Sequence, residues 1–182
     1  HIAPVNRPGA RDHMSRRLIN GLNLHGWNAR YTRPRLHLST EHRNFGRAWI
    51  AQAGVRSGEV CIAVNPGSRW APKNWPIARY AQMCHWFRKE FNAKLILVSR
   101  DDDPVMRDLF RRIGATGVSL LTAPPAETAA VLARCDLLLG NDTGTSHVAS
   151  AVGTPTVCIF GPTAPGLWRP ASGKSVVVYD HA

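Results

Sequence analysis

The stretch Gly140-Asn141-Asp142-Thr143-Gly144-Thr145-Ser146-His147 gathers small, polar and hydroxyl-bearing residues behind the apolar run Leu137-Leu138-Leu139 and ahead of Ala149, Ala151 and Val152. That order reads as a buried strand, a tight turn and a helix, so the first backbone N–H groups of the helix, which lack partners inside it, point into a crevice. Such a helix end attracts anions, because its unpaired N–H groups and its dipole both favour negative charge. Gly153-Thr154-Pro155 then breaks the helix, and Thr156-Val157-Cys158-Ile159-Phe160 makes a further strand that ends in Gly161-Pro162-Thr163. Taken alone, the pattern also fits an ordinary strand-turn-helix-strand unit.

A second loop, residues 65–76, offers complementary chemistry. Gly67 permits close backbone approach, Ser68 carries a hydroxyl, and Arg69 and Lys73 bring positive charge beside a helix N-terminus. In isolation the loop also reads as a solvent-exposed turn with incidental charges. Facing residues 140–147, it becomes the second half of a phosphate clamp. Neither G-x-x-x-x-G-K-[ST] nor a G-x-G-x-x-G after the first strand occurs, which disfavours a P-loop ATPase and a nicotinamide dehydrogenase.

Both loops need strands to carry them. The apolar spacing predicts strands at 60–64, 94–98, 118–121, 136–139 and 156–160, with 175–179 offering a sixth. Between them, Pro76 stands at a helix first turn ahead of Ile77, Tyr80, Ala81, Cys84, Phe87 and Phe91. Asp103-Pro104 reads as an N-cap with proline at the first position of a helix that turns Val105, Met106, Leu109, Phe110 and Ile113 inward and stops at Gly114. A short helix over 125–134 follows. Strands and helices in this alternation predict an α/β fold, a Rossmann-like doubly wound parallel sheet. In the common order 3-2-1-4-5, strands one and four meet at the topological switch point, and their two loops face one crevice.

Residues 1–57 read as a separate, linker-like basic segment ahead of the α/β unit at 58–182. Pro4, Pro8, Gly9 and Pro34 interrupt it. Met14, Leu18, Ile19 and Leu22 line one face of a helix at about 13–24, and Phe45, Ala48 and Trp49 with Gln52 or Ala53 line one at about 41–53. Neither patch can form a core alone, so each requires cover from the following domain or from something absent. The net charge of +11 is concentrated here: ten arginines, no lysine and two acids give residues 1–57 a charge of +8, leaving +3 for the remainder. A basic segment suits nucleic acid, an anionic membrane surface or an acidic partner domain. With no nucleic-acid-binding signature and no aromatic ladder among the arginines, nucleic acid is disfavoured.

No run approaches the roughly 18 apolar residues that span a bilayer, and no signal-peptide pattern opens the chain. Cys61, Cys84, Cys135 and Cys158 lie far apart without C-x-x-C pairing, as expected of reduced core thiols rather than zinc ligands. The expectation is a soluble protein of the cytoplasm.

Asn65-Pro66-Gly67-Ser68 with Lys73-Asn74-Trp75-Pro76, Gly140 to Gly144 with His147, and Gly153-Thr154-Pro155-Thr156 through Phe160-Gly161-Pro162-Thr163 together resemble the C-terminal half of the ADP-heptose:lipopolysaccharide heptosyltransferase family, glycosyltransferase family 9. The resemblance covers about residues 60–170, with residues 1–57 similar only to the interdomain stretch. It implies one half of a two-domain GT-B inverting glycosyltransferase that holds an ADP-sugar donor and meets a lipopolysaccharide core acceptor through an N-terminal domain absent from this chain. The family's catalytic base belongs to that other half, so this chain alone is not expected to catalyse transfer. Work at the inner face of the membrane is a further implication. The acceptor hydroxyl attacks the anomeric carbon while a nucleoside diphosphate departs, so charge growing on the leaving group must be stabilised. Lys73 is the residue implied for that role, helped by the helix N–H groups and the Thr143 and Thr145 hydroxyls. No metal and no cofactor are required by such a scheme. Gly67, Ser68 and Gly144 would sit close to the donor. Asp142 either caps the helix or accepts donor hydroxyls, and His147 either donates to phosphate or packs beside the turn. Of Asp101, Asp102 and Asp103, which end strand two, Asp103 is the candidate for a ribose or sugar hydroxyl, with its N-cap role as the alternative.

Overall fold

The structure, a computed structural model, describes residues 13–99 and 103–179; Pro4, Pro8, Gly9, Asp101 and Asp102 lie outside the described residues. Six strands, β1 (Cys61–Asn65), β2 (Lys94–Val98), β3 (Val118–Leu121), β4 (Leu137–Asn141), β5 (Thr156–Phe160) and β6 (Ser175–Tyr179), form one sheet in the order β3-β2-β1-β4-β5-β6. Every pairing is parallel. Parallel sheets bury both faces, which is why the central strands are runs of apolar residues rather than alternations. β1 is buried at all its positions.

Alternate side chains divide the core into two layers. Ile62, Val64, Leu95 and Leu97 face α3 (Ile77–Phe91) and α4 (Pro104–Ile113), which contribute Tyr80, Cys84, Phe87, Met106 and Leu109. Cys61, Ala63, Ile96, Val98 and Leu138 face the opposite way, toward α5 (Pro125–Leu132) and α6 (Gly144–Val152). α4 begins as its sequence predicts: the Asp103 carboxylate accepts the Val105 N–H at 3.0 Å and Pro104 occupies the first turn. Gly153, at φ 94°, adopts the left-handed conformation that ends α6.

The two front patches are treated differently. α2 (Thr40–Gln52) lies on α5, with Phe45, Trp49 and Ile50 packed against the second core layer. Gly46 makes this approach feasible, because a Cβ there would collide with the backbone carbonyl of Ala130. α1 (Met14–Leu24) buries no residue; Leu18 and Leu22 remain 64% and 44% exposed. A short α7 (Pro165–Trp168), not expected from the sequence, precedes β6.

Three boundaries move by enough to matter. β1 and β4 continue to Asn65 and Asn141, polar residues that the spacing leaves in loops, and Pro76 is the N-cap of α3 rather than part of its first turn. The asparagines can end buried strands because their side-chain amides find backbone partners: Asn65 Nδ2 donates to the Val98 carbonyl at 2.7 Å and Asn141 Nδ2 to the Pro66 carbonyl at 2.6 Å. All four cysteines are buried and free, with Cys61 Sγ 3.9 Å from Cys135 Sγ. Among the described residues no helix is long and apolar enough to cross a membrane.

Candidate functional site

β1 and β4 pair through Asn65 and Gly140 at the point where the strand order reverses, so the loops that leave their carboxyl ends open on the same edge of the sheet. The loop after β1 folds back through a local turn in which Ser68 Oγ donates to the Trp70 carbonyl at 2.7 Å and accepts the Trp70 N–H at 3.1 Å. A 3-10 turn, Ala71–Lys73, then presents Lys73. This turn lies flush against the end of β5: a Cβ on Gly161 would stand 2.8 Å from the Pro72 carbonyl oxygen and 3.5 Å from Lys73 Cα.

Lys73 Nζ donates to Asp142 Oδ2 at 2.7 Å and to the Asp142 carbonyl at 3.2 Å, a contact spanning 69 residues. Thr163, in the loop after β5, donates its hydroxyl to the same carboxylate oxygen at 2.7 Å. Asp142 is 4% exposed and Lys73 23%, so the carboxylate is removed from water while the ammonium keeps a face toward the crevice. The helix-cap alternative for Asp142 is thereby corrected: Thr143 holds the N-cap position of α6, no side chain caps that helix, and Asp142 is engaged by the lysine and threonine instead. The carboxylate offsets the lysine charge, so attraction for an anion here needs the uncapped helix end and Arg69 as well.

A buried polar network sets these groups. Asn141 Oδ1 accepts the Tyr80 hydroxyl at 2.8 Å and the Trp75 N–H at 3.2 Å, which ties β4 to the entrance of α3 and to the loop that carries Lys73. Thr143 Oγ1 donates to Asn65 Oδ1 at 3.1 Å, and Ser146 Oγ donates to the Asn141 carbonyl at 2.7 Å. Burial pushes the Tyr80 phenol well above its ordinary range, so it stays a donor. Sequence reasoning quoted Asn65, Asn141 and Thr163 in the family motifs and Tyr80 on the inner face of its helix but gave none of them a role at the site; two asparagines abutting apolar strand runs were the available signal.

Gly67, Ser68, Lys73, Asp103, Asp142, Thr143, Gly144 and Thr145 all line one crevice of about 650 Å³, together with Ser99, Ala123 and Thr128. That volume is in the range of small-ligand sites. Among the described residues nothing stands within 4 Å of where a Gly144 Cβ would be, so they leave the space above the first turn of α6 open. Two hydroxyls placed in the clamp by the sequence are turned to other work: Ser68 serves its own turn and Thr143 bonds β1. Asp103 caps α4, and its Oδ2 lies 2.6 Å from where a Gly67 Cβ would be, so here the close approach Gly67 permits is to a carboxylate. His147 is outside the crevice lining. Its Nε2 is 4.0 Å from Asp142 Oδ1. Burial lowers its pKa, Asp142 opposes that shift, and His13 and Lys73 add to it.

Strand order and the crevice at the switch point define a Rossmann-like α/β domain. Its sequence matches the profile of glycosyltransferase family 9 (heptosyltransferase) over residues 13–182, and the chain belongs to that family. Among curated relatives it is 27% identical over 137 residues to lipooligosaccharide heptosyltransferase 2 of Haemophilus influenzae, covering 70% of this chain and 38% of the relative. It is 24% identical over 151 residues to lipopolysaccharide heptosyltransferase 2 of Escherichia coli, covering 80% of this chain and 42% of the relative. The chain thus spans about two fifths of the length of these relatives. A family 9 glycosyltransferase structure from Veillonella parvula superposes with a TM-score of 0.84 at 23% identity, covering 99% of this chain and 52% of that one. The E. coli ADP-heptose lipopolysaccharide heptosyltransferase II structure superposes with a TM-score of 0.71 at 22% identity, covering 85% and 47%.

Proposed function

We propose that this chain is the donor-binding half of an inverting GT-B glycosyltransferase that transfers heptose from ADP-heptose to a lipopolysaccharide core acceptor at the inner face of the membrane. Residues 58–182 form the nucleotide-sugar-binding domain, residues 1–57 connect it to an acceptor half, and that half supplies the base that deprotonates the attacking hydroxyl. The single observation that carries the reading is the meeting of two loops from adjacent strands, with Lys73 of one 2.7 Å from Asp142 of the other beside the uncapped start of α6. A diphosphate entering there finds an ammonium already oriented and helix N–H groups with no internal partner, which is what a departing nucleoside diphosphate requires. The names of the relatives support ADP-heptose and lipopolysaccharide in particular: the similar E. coli enzymes include an ADP-heptose lipopolysaccharide heptosyltransferase and a heptosyltransferase solved with ADP.

Gly67, Ser68, Thr143, Gly144 and Thr145 are assigned to the donor-facing wall and Asp103 to a ribose or sugar hydroxyl; Asp142 acts by holding Lys73. His147 stands behind Asp142 and acts on the clamp through that carboxylate. Calorimetric titration of the chain with ADP, UDP and GDP tests the reading. Preferential binding of ADP is the expected result. Preference for UDP or GDP replaces heptose by another nucleotide sugar, and no nucleotide binding rejects the donor site.

A further inference from the structure

His13 lies ahead of every motif that marks the α/β unit, yet it reaches the site. Its ring caps α1: the Ser15 backbone N–H lies 3.3 Å from Nδ1 and the Ser15 hydroxyl 2.7 Å from the same nitrogen. With Nδ1 accepting, the ring hydrogen sits on Nε2, which donates to the Arg169 carbonyl at 2.8 Å, across 156 residues of chain. Arg169 closes α7, and the segment it ends is the one that buttresses the clamp. At its other end, Gly161 abuts Pro72 and Lys73, and Thr163 donates to Asp142. Residues 161–169 are therefore tied at both ends, to the lysine turn by Gly161 and Thr163 and to the start of α1 by His13.

We propose that His13 is a positioning residue of the donor site, holding the segment Gly161–Arg169 against the Lys73–Asp142 pair through its bond to the Arg169 carbonyl. The proposal rests on the donor-binding reading above. It makes the amino-terminal segment part of the site rather than only a connector.

Two substitutions separate the cap from the tie. His13→Asn keeps an acceptor for the Ser15 N–H but is too short to reach Arg169, whereas His13→Gln keeps a donor of comparable reach. Two readouts are made on the whole chain: amide hydrogen exchange at Leu167, Trp168 and Arg169, and ADP affinity by calorimetry. In His13→Asn, exchange at these amides should quicken and ADP affinity should fall, each by about fivefold, the weight of one neutral hydrogen bond. His13→Gln should stay within about twofold of the parent in both, because it keeps the tie and gives up only the cap. Unchanged exchange in His13→Asn, faster exchange without weaker ADP binding, or equal damage in both variants overturns the proposal. If the parent chain binds no ADP, the donor reading fails and the positioning role falls with it; if ADP binds and the exchange pattern is absent, only the role of His13 is lost.

Discussion

Replacing Lys73 by alanine removes the ammonium from a carboxylate that stays buried, and the cost follows from what Asp142 has left. Asp142 is 4% exposed and Lys73 23%, and after the substitution the carboxylate keeps the Thr163 hydroxyl at 2.7 Å. Breaking a fully buried ion pair from one side costs about 3–5 kcal/mol. The partial exposure of the lysine and the surviving hydroxyl reduce this, and about 2 kcal/mol is expected. For a chain of this size that is a fall of roughly 4–8 °C in melting temperature. Adding Asp142→Asn should recover most of the loss, giving a coupling energy of about 2 kcal/mol in a double-mutant cycle followed by urea unfolding. The effect on ligand is separate. A charge-assisted hydrogen bond to phosphate contributes about 1.5–3 kcal/mol, so ADP affinity should fall roughly 10- to 150-fold. Stability that changes by less than about 0.5 kcal/mol with additive behaviour in the cycle, together with ADP affinity within about twofold of the parent, would refute the reasoning that Lys73 is both the partner of Asp142 and a ligand for the diphosphate.

Four further outcomes follow from the same geometry. Gly161→Ala should force the Ala71–Lys73 turn away from β5, since its Cβ would lie 2.8 Å from the Pro72 carbonyl; overpacking of this kind costs about 1–3 kcal/mol, and calorimetry should also show weaker ADP binding. Gly46→Ala should separate α2 from α5 at a similar cost, visible as faster amide exchange in both helices, and a variant as stable as the parent would contradict the close packing. His147 has a lowered pKa in the folded chain, so the unfolded chain takes up that proton first; stability contributed by the neutral ring is present above about pH 6.5 and is lost as pH falls below it. His147→Gln should therefore flatten the melting temperature between about pH 7 and 5, and parallel curves would rule out this linkage. Cys84 and Cys158 are pushed up to about 12 by burial, so iodoacetamide at about pH 9 should leave both unmodified in the folded chain, as mass spectrometry can read directly.

The strands and helices were legible because each carries its own signal: apolar runs for β1, β2 and β4, the Asp103-Pro104 start of α4, and the glycine that ends α6. The meeting of the two loops was legible too, since right-handed crossovers in an alternating chain leave few places for strands one and four. What local pattern could not supply were the partners. Ser68 and Thr143 offered free hydroxyls in the sequence, and both are satisfied elsewhere in the fold, one by its own turn and one by Asn65. Asn65 and Asn141 read as loop residues because the spacing registers hydrophobicity, while their role depends on amide bonds to Val98 and Pro66 that form only across the assembled sheet.

Sequence alone thus determined the doubly wound topology, the edge at which the crevice opens and the residue types that line it, because each of these is set by short-range periodicity and by chain handedness. Only the tertiary structure decided that Asp142 holds Lys73 instead of capping α6, that His147 stands 4.0 Å from the Asp142 carboxylate, and that His13 reaches Arg169. Those outcomes rest on contacts between residues far apart in the chain, and a side chain's partner over such a distance is settled by packing.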